Sequence, residues 1–115
     1  MMQATLTTVG SLITVILGTV GIIAPTKIAQ LVSIEPDGLT GIYEIRATYG
    51  GFFLGLGLAS LYFDSQVLFT AMGIAWLSAA LGRIVSVVGD RNTEIKNIFG
   101  ILFEMAIGLL FVNNM

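Results

Sequence analysis

The chain has 115 residues, 56% of them hydrophobic and only 10% charged, with a mean hydropathy of +0.95; soluble domains carry about 25% charged residues. Net charge is −2, and no basic patch interleaves with aromatics, which argues against nucleic-acid binding. Cysteine and histidine are both absent, excluding disulfides, thiol redox chemistry, the usual zinc sites, histidine-ligated haem and Ser-His-Asp or Cys-His catalysis.

What remains is one integral membrane domain, residues 1–115, built on four apolar runs. The first is expected over residues 4–24 and stops at Pro25, which lacks the N–H a continuing helix needs. It reads as a retained span rather than a cleaved signal peptide. Residues 1–4 carry no Lys or Arg, the apolar run is about 20 residues instead of roughly 7–15, and no A-x-A site follows. In the connection over residues 26–43, Ile28, Leu31 and Val32 recur at i, i+3 and i+4, the pattern of a short interfacial helix. Pro36-Asp37-Gly38 signals a turn. The second span is expected over residues 42–63. Asp64-Ser65-Gln66 is then a polar turn in which Asp64 or Ser65 can cap the next helix. The third span, residues 67–88, stops at Gly89 in a C′ position. Residues 90–96 form a charged turn with Asn92 or Thr93 as candidate cap, and the fourth span covers residues 97–112. At about 1.5 Å per residue each run reaches most or all of a bilayer core about 30 Å thick.

Lys27, Arg46, Arg91 and Lys96 lie in or beside the first and third connections. The N-terminal tail, the second turn and residues 112–115 carry no basic residue. By the positive-inside rule the first and third connections are cytoplasmic and both termini non-cytoplasmic. The expected fold is an all-α, four-helix up-and-down transmembrane bundle, left-handed or mixed, in the cytoplasmic membrane.

Arg83 and Glu104 break the third and fourth runs. A charge at mid-bilayer costs roughly 2.5–3.5 kcal/mol on insertion scales. Arg83 is roughly 9 Å in from Gly89 and Glu104 roughly 12 Å in from Lys96; consecutive helices joined by a short turn lie side by side. The two charges therefore reach similar depth and can pair. Glu44, Arg46 and Tyr49 enter at the head of the second run from the same side, and a long Arg stem can snorkel toward them. The expectation is one cytoplasm-facing polar cluster of Glu44, Arg46, Tyr49, Arg83 and Glu104. Small residues recur every four positions at Ala47, Gly51, Gly55 and Ala59, at Ala71, Ala75 and Ala79 ahead of Arg83, and at Gly100 and Gly108 around Glu104. Such faces let helices approach closely in lipid.

Plainer readings stand beside these. The Arg83–Glu104 pair can serve only to fix helix register, Glu44 can favour a helix N-terminus, and Arg46 can anchor to phosphates. Tyr43, Tyr49 and Tyr62 near span ends fit an aromatic belt. Trp76, mid-span, reads as packing, as does Gly55-Leu56-Gly57, which no strand precedes.

The stretch Glu44-Ile45-Arg46-Ala47-Thr48-Tyr49-Gly50-Gly51, followed by Gly82-Arg83, Asp90 and Glu104, resembles a bacterial four-span membrane family of unknown function placed with the DoxX-like proteins. Arg91 stands where that pattern often has glycine. The resemblance covers the chain from about Pro25 onward. It implies a four-helix membrane bundle, with relatives that include quinone-linked oxidation subunits, cargo receptors and assembly helpers. No single activity transfers from so wide a range.

The functional expectation is a binding or accessory membrane protein. Its cluster holds an amphipathic or anionic small molecule, such as a lipid head group or a quinone, or docks a partner subunit. Arg46 and Arg83 contact the ligand while Glu44 and Glu104 orient and neutralise them. Beyond the lipid bilayer, the expected partners are further copies of the chain or a membrane complex. A small transporter or channel subunit, which needs oligomerisation, and a purely structural protein are the alternatives. No metal site is expected, since no D-x-D-x-D-G run is present. No catalytic residue is expected either, and the chain is not read as an enzyme.

Overall fold

Without water, backbone N–H and C=O groups must find partners within the protein, and a helix provides them within one segment. The computed structural model describes residues 2–91 and 94–112, with side chains of the first helix described from Ala4. Helix α1 spans Met2–Ile23, α2 Pro25–Leu31, α3 Gly38–Ile45 and α4 Phe53–Phe63, with a π-helical segment at Arg46–Phe52 between α3 and α4. Helix α5 spans Gln66–Gly89 and α6 Ile95–Val112. No strand occurs among the described residues.

Three helices are long and apolar enough to cross a membrane: α1 from Ala4, α5 and α6. The run expected as a second span is not among these three. It is helical from Gly38 to Phe63, but the π-helical segment divides it into α3, of 8 residues, and α4, of 11. At about 1.5 Å per residue neither piece alone covers a bilayer core.

The helix ends follow local chemistry. Pro25, without an N–H, opens α2 at a position where that donor has no intrahelical partner anyway. Gly38 begins α3 with φ +64°, a left-handed conformation that costs glycine little. Asp64 takes φ +47°, and the next residue, Ser65, is the cap of α5, its hydroxyl accepting from Leu68 N at 3.4 Å. The expected left-handed stop at Gly89 is not taken. Gly89 stays helical, Asp90 caps α5 through Ser86 O at 3.0 Å, and Arg91 adopts the left-handed φ of 54°. The cap expected at Asn92 or Thr93 lies outside the described residues.

The chain divides into two compact units, one of Met1–Gly10 with Asp64–Met115 and the other of Ser11–Phe63. In the Ser11–Phe63 unit, Ile28 and Ala29 of α2 and Ile45 of α3 form a buried cluster, flanked by Leu17, Val20 and Tyr49. The short helix expected from Ile28, Leu31 and Val32 is present, but Pro25, Ile28 and Ala29 are its buried face and Leu31 is exposed. The remaining C-terminal part of α1 meets the π-helical segment and α4 through glycine. A methyl group at Gly18 would collide with the Leu54 backbone, one at Gly21 with Tyr49 O, and one at Gly57 would fall 2.6 Å from Val15 Cγ2. Beside this seam the Ser11 and Ser60 hydroxyls are hydrogen-bonded at 2.7 Å, and Ser60 Oγ lies 2.8 Å from Gly57 O. Both serines are buried.

This seam corrects the expected packing stripe. Ala47, Gly51 and Gly55 are exposed and Ala59 is half-buried; Gly55 has no neighbour within 4 Å of an added Cβ. The inward positions are Ile45, Gly50, Gly57 and Ser60. Gly50 lies five positions after Ile45, a step that fits one wide i→i+5 turn and not a 3.6-residue one. An extrapolation in fours therefore lands on the wrong face.

In the other unit α5 and α6 run antiparallel. Phe69, Met72, Gly73, Trp76 and Ala80 of α5 are buried, as are Ile107, Gly108 and Phe111 of α6. The backbones meet at Gly73 and Gly108, where a Cβ on Gly73 would lie 3.0 Å from Gly108 O and one on Gly108 3.2 Å from Gly73 O. Phe69 stacks on Phe111 with centroids 6.4 Å apart, and Trp76 meets Phe103 edge-on at 6.3 Å. Gly10 of α1 abuts the Phe111 ring. Ala71, Ala75 and Ala79 are exposed, so the α5 packing stripe is rotated away from the expected one, while Gly108 packs as expected.

These seams give opposite expectations for two alanine substitutions. Gly21→Ala, whose methyl meets immovable backbone, should lower stability by about 1–3 kcal/mol. Gly55→Ala should be neutral or stabilise by up to about 1 kcal/mol through helix propensity. Denaturant unfolding in mixed micelles checks the pair; a Gly55 variant more damaged than the Gly21 variant would contradict the seam.

Candidate functional site

On α5 the buried positions Met72, Trp76 and Ala80 lead along one face to Arg83, and on α6 Asn97, Gly100, Glu104, Ile107 and Phe111 repeat at three- and four-residue steps. Residues so spaced share a helix face. The antiparallel contact brings the two faces together. Arg83 Nε donates to Glu104 Oε1 at 2.8 Å. Arg83 Nη1 donates to Asn97 Oδ1 at 3.3 Å, and Asn97 Nδ2 donates to the Arg83 backbone carbonyl at 3.3 Å. Gly100 makes room for the guanidinium: a Cβ there would sit 2.6 Å from Arg83 Cζ and Nε. The pairing anticipated from depth alone is present.

The site is sheltered but not sealed. The Arg83 and Glu104 side chains retain 28% and 13% of their accessible surface. Among the described residues neither Arg83 Nη2 nor Glu104 Oε2 has a hydrogen-bond partner, and no buried side-chain nitrogen or oxygen lacks one. Both side chains keep part of their surface exposed. A donor and an acceptor are left available on a fixed ion pair.

Asn97 was missed by sequence reasoning, which treated it as the first residue of a span. Its signal was present, since it lies seven residues, or about two helical turns, ahead of Glu104 on the same face. An amide so placed can bond both a guanidinium and a backbone carbonyl.

Glu44, Arg46 and Tyr49 belong to the Ser11–Phe63 unit. Arg46 is exposed and donates from Nε to Ile22 O at 3.1 Å. That carbonyl is in the last turn of α1, where no intrahelical donor remains and a cation is favoured. Tyr49 is half-buried against the Ile28, Ala29 and Ile45 cluster and tilts on Phe53 at 5.8 Å. Gly50 fits against Gly21 and Ile22. Glu44 is exposed, with no hydrogen bond or ion pair among the described residues. Within the Glu44–Gly51 stretch, Arg46, Tyr49 and Gly50 thus hold the π-helical segment on α1. Among the described residues no three acidic side chains gather closely enough to hold a metal ion.

Residues 2–113 match the family described as Domain of unknown function (DUF4345). The chain belongs to that family. It has no significant match among curated proteins or among solved structures.

A buried ion pair is costly to break and cheap to replace whole. Arg83→Met or Glu104→Met alone should destabilise the fold by about 3 kcal/mol, the low end for a buried pair given Arg83's partial exposure. The double Met variant should recover most of that loss. Unfolding midpoints of the four proteins in one detergent check the cycle; additive losses in the double variant would show that the pair is not coupled.

Proposed function

We propose that the chain is a small integral membrane protein that binds the polar head of an amphipathic molecule through Arg83, Glu104 and Asn97. The observation that carries this reading is the half-used guanidinium. Nε and Nη1 are engaged by Glu104 and Asn97, while among the described residues Nη2 and Glu104 Oε2 carry no hydrogen bond on side chains that keep 28% and 13% of their surface. Arginine's rigid fork suits such shared duty, because one face can be held while another is offered. Glu44, Arg46 and Tyr49 are assigned a structural and interfacial role, with Arg46 and Lys27 at the phosphate level of the cytoplasmic leaflet.

The same reading takes residues 38–63 as a fourth crossing, an α-helical span widened by π turns at the level of Arg46–Phe52. A connected helical stretch of that length covers a bilayer core at about 1.5 Å per residue. Lys27, Arg46, Arg91 and Lys96 then lie on the cytoplasmic side and both termini on the other. The resemblance of the Glu44–Gly51 stretch, Arg83 and Glu104 to the DoxX-like pattern implies the same arrangement, in a bacterial inner membrane. A binding or accessory role fits better than catalysis, since only carboxylate, tyrosine and arginine chemistry is available. The competing reading, a register pin, draws on Asn97 and Gly100, which complete the pair without any ligand.

Native mass spectrometry of the full chain from mild detergent is expected to find a retained amphiphile. Arg83→Lys keeps the charge but loses the planar fork, and should cut retention about tenfold, or about 1.4 kcal/mol, without loss of fold. Unchanged retention would leave the pin as the better reading. Sidedness has its own check. Because the chain has no cysteine, a single Cys introduced at Glu94 or Gln3 gives an unambiguous labelling readout. The Glu94 position should react from the cytoplasm and the Gln3 position from outside.

A further inference from the structure

We propose that the head group taken by this site is uncharged and carries an acceptor and a donor side by side, as in a hydroxyl, a diol, an amide or an un-ionised acid. The inference rests on the binding reading above and names its ligand class. It follows from the charge already present. Glu104 lies 2.8 Å from the guanidinium it neutralises, so a head group at Nη2 also stands close to the carboxylate.

A phosphate or carboxylate there would gain attraction from Arg83 and meet repulsion from Glu104 at a comparable distance, leaving little net Coulomb energy. It would also lose its hydration on entering an apolar helix seam. An ammonium head meets the same cancellation with the signs reversed. A neutral head avoids that penalty and still finds both halves of what it needs: Nη2 to donate to its oxygen, and Glu104 Oε2 to accept its proton. Asn97 is neutral and its side-chain oxygen is committed to Nη1, so it does not tip the balance toward an anion.

The test compares two probes with the same acyl chain, 1-monooleoylglycerol and 1-oleoyl lysophosphatidate. Both are added to the full chain in maltoside micelles, and retention is counted by native mass spectrometry above that of the Arg83→Met/Glu104→Met variant. Wild type should retain monooleoylglycerol about tenfold or more over lysophosphatidate. Glu104→Gln leaves the guanidinium unneutralised and should shift the ratio toward lysophosphatidate by a similar factor. Equal or greater retention of lysophosphatidate by wild type would overturn the neutral-head assignment while leaving a binding site in place. Retention of neither probe above the double variant would instead remove the binding reading itself.

Discussion

A charge on an apolar helix persists only where the protein supplies its partners, and that constraint organises the α5–α6 seam. Arg83 cannot be solvated by leucine and valine. Its guanidinium is met by a carboxylate, an amide and the cleared space at a glycine, all from one face of α6. Those contacts require α5 and α6 to be close and in one register. The crossing of Gly73 against Gly108 provides the closeness, and the Phe69–Phe111 and Trp76–Phe103 contacts fill the seam on either side of it. Slipping one helix by a turn would move Glu104 about 5.4 Å along the axis and strand both charges.

The same rule governs the weaker polar groups. Threonine and serine are tolerable in apolar helices because their hydroxyls can bond a carbonyl one turn back. Thr8 bonds Ala4 O at 2.7 Å and Thr19 bonds Val15 O at 2.8 Å. Ser60, which also lies within bonding distance of Gly57 O one turn back, bonds Ser11 across helices, beside the glycines that let α1 and α4 touch. In lipid, where the hydrophobic effect does not drive helices together, packing and such hydrogen bonds carry the association. Arg46 extends the logic to the backbone, giving the last turn of α1 a donor it otherwise lacks.

Much of this was legible in the residues because it depends on simple periodicity. Apolar run length identified α1, α5 and α6, Pro25 marked the break after α1, and the depth of two charges from the ends of neighbouring helices identified the Arg83–Glu104 pair. Two things were not legible. A π-helical turn has no distinct periodic signature, so Ala47, Gly51, Gly55 and Ala59 looked like a seam when a five-residue step from Ile45 to Gly50 had already rotated the helix. The packing face of α5 was misjudged for a different reason. Small size suggested Ala71, Ala75 and Ala79, but van der Waals contact in this seam comes as much from large residues, Phe69 on Phe111, Trp76 on Phe103 and Leu77 against Gly108. Asn97 was overlooked because an amide near a helix start looks like a boundary; only its alignment with Glu104 marks it as part of the site.

The choice between a pin and a binding site turns on how completely the guanidinium is used. A pin is strongest when every donor is satisfied within the protein, since each unmet group in a low-dielectric seam carries a desolvation cost. Arg83 could meet that standard through a two-point contact with Glu104, the geometry arginine and carboxylate favour. It does not. One nitrogen bonds the carboxylate and a second bonds Asn97, while among the described residues the third nitrogen and the second carboxylate oxygen have no hydrogen-bond partner. A lysine–carboxylate pair would fix the same register with fewer donors to satisfy. An arrangement that spends two nitrogens on orientation and leaves that third one unbonded is costly for a register device and economical for a site that must hold its donor at a fixed angle.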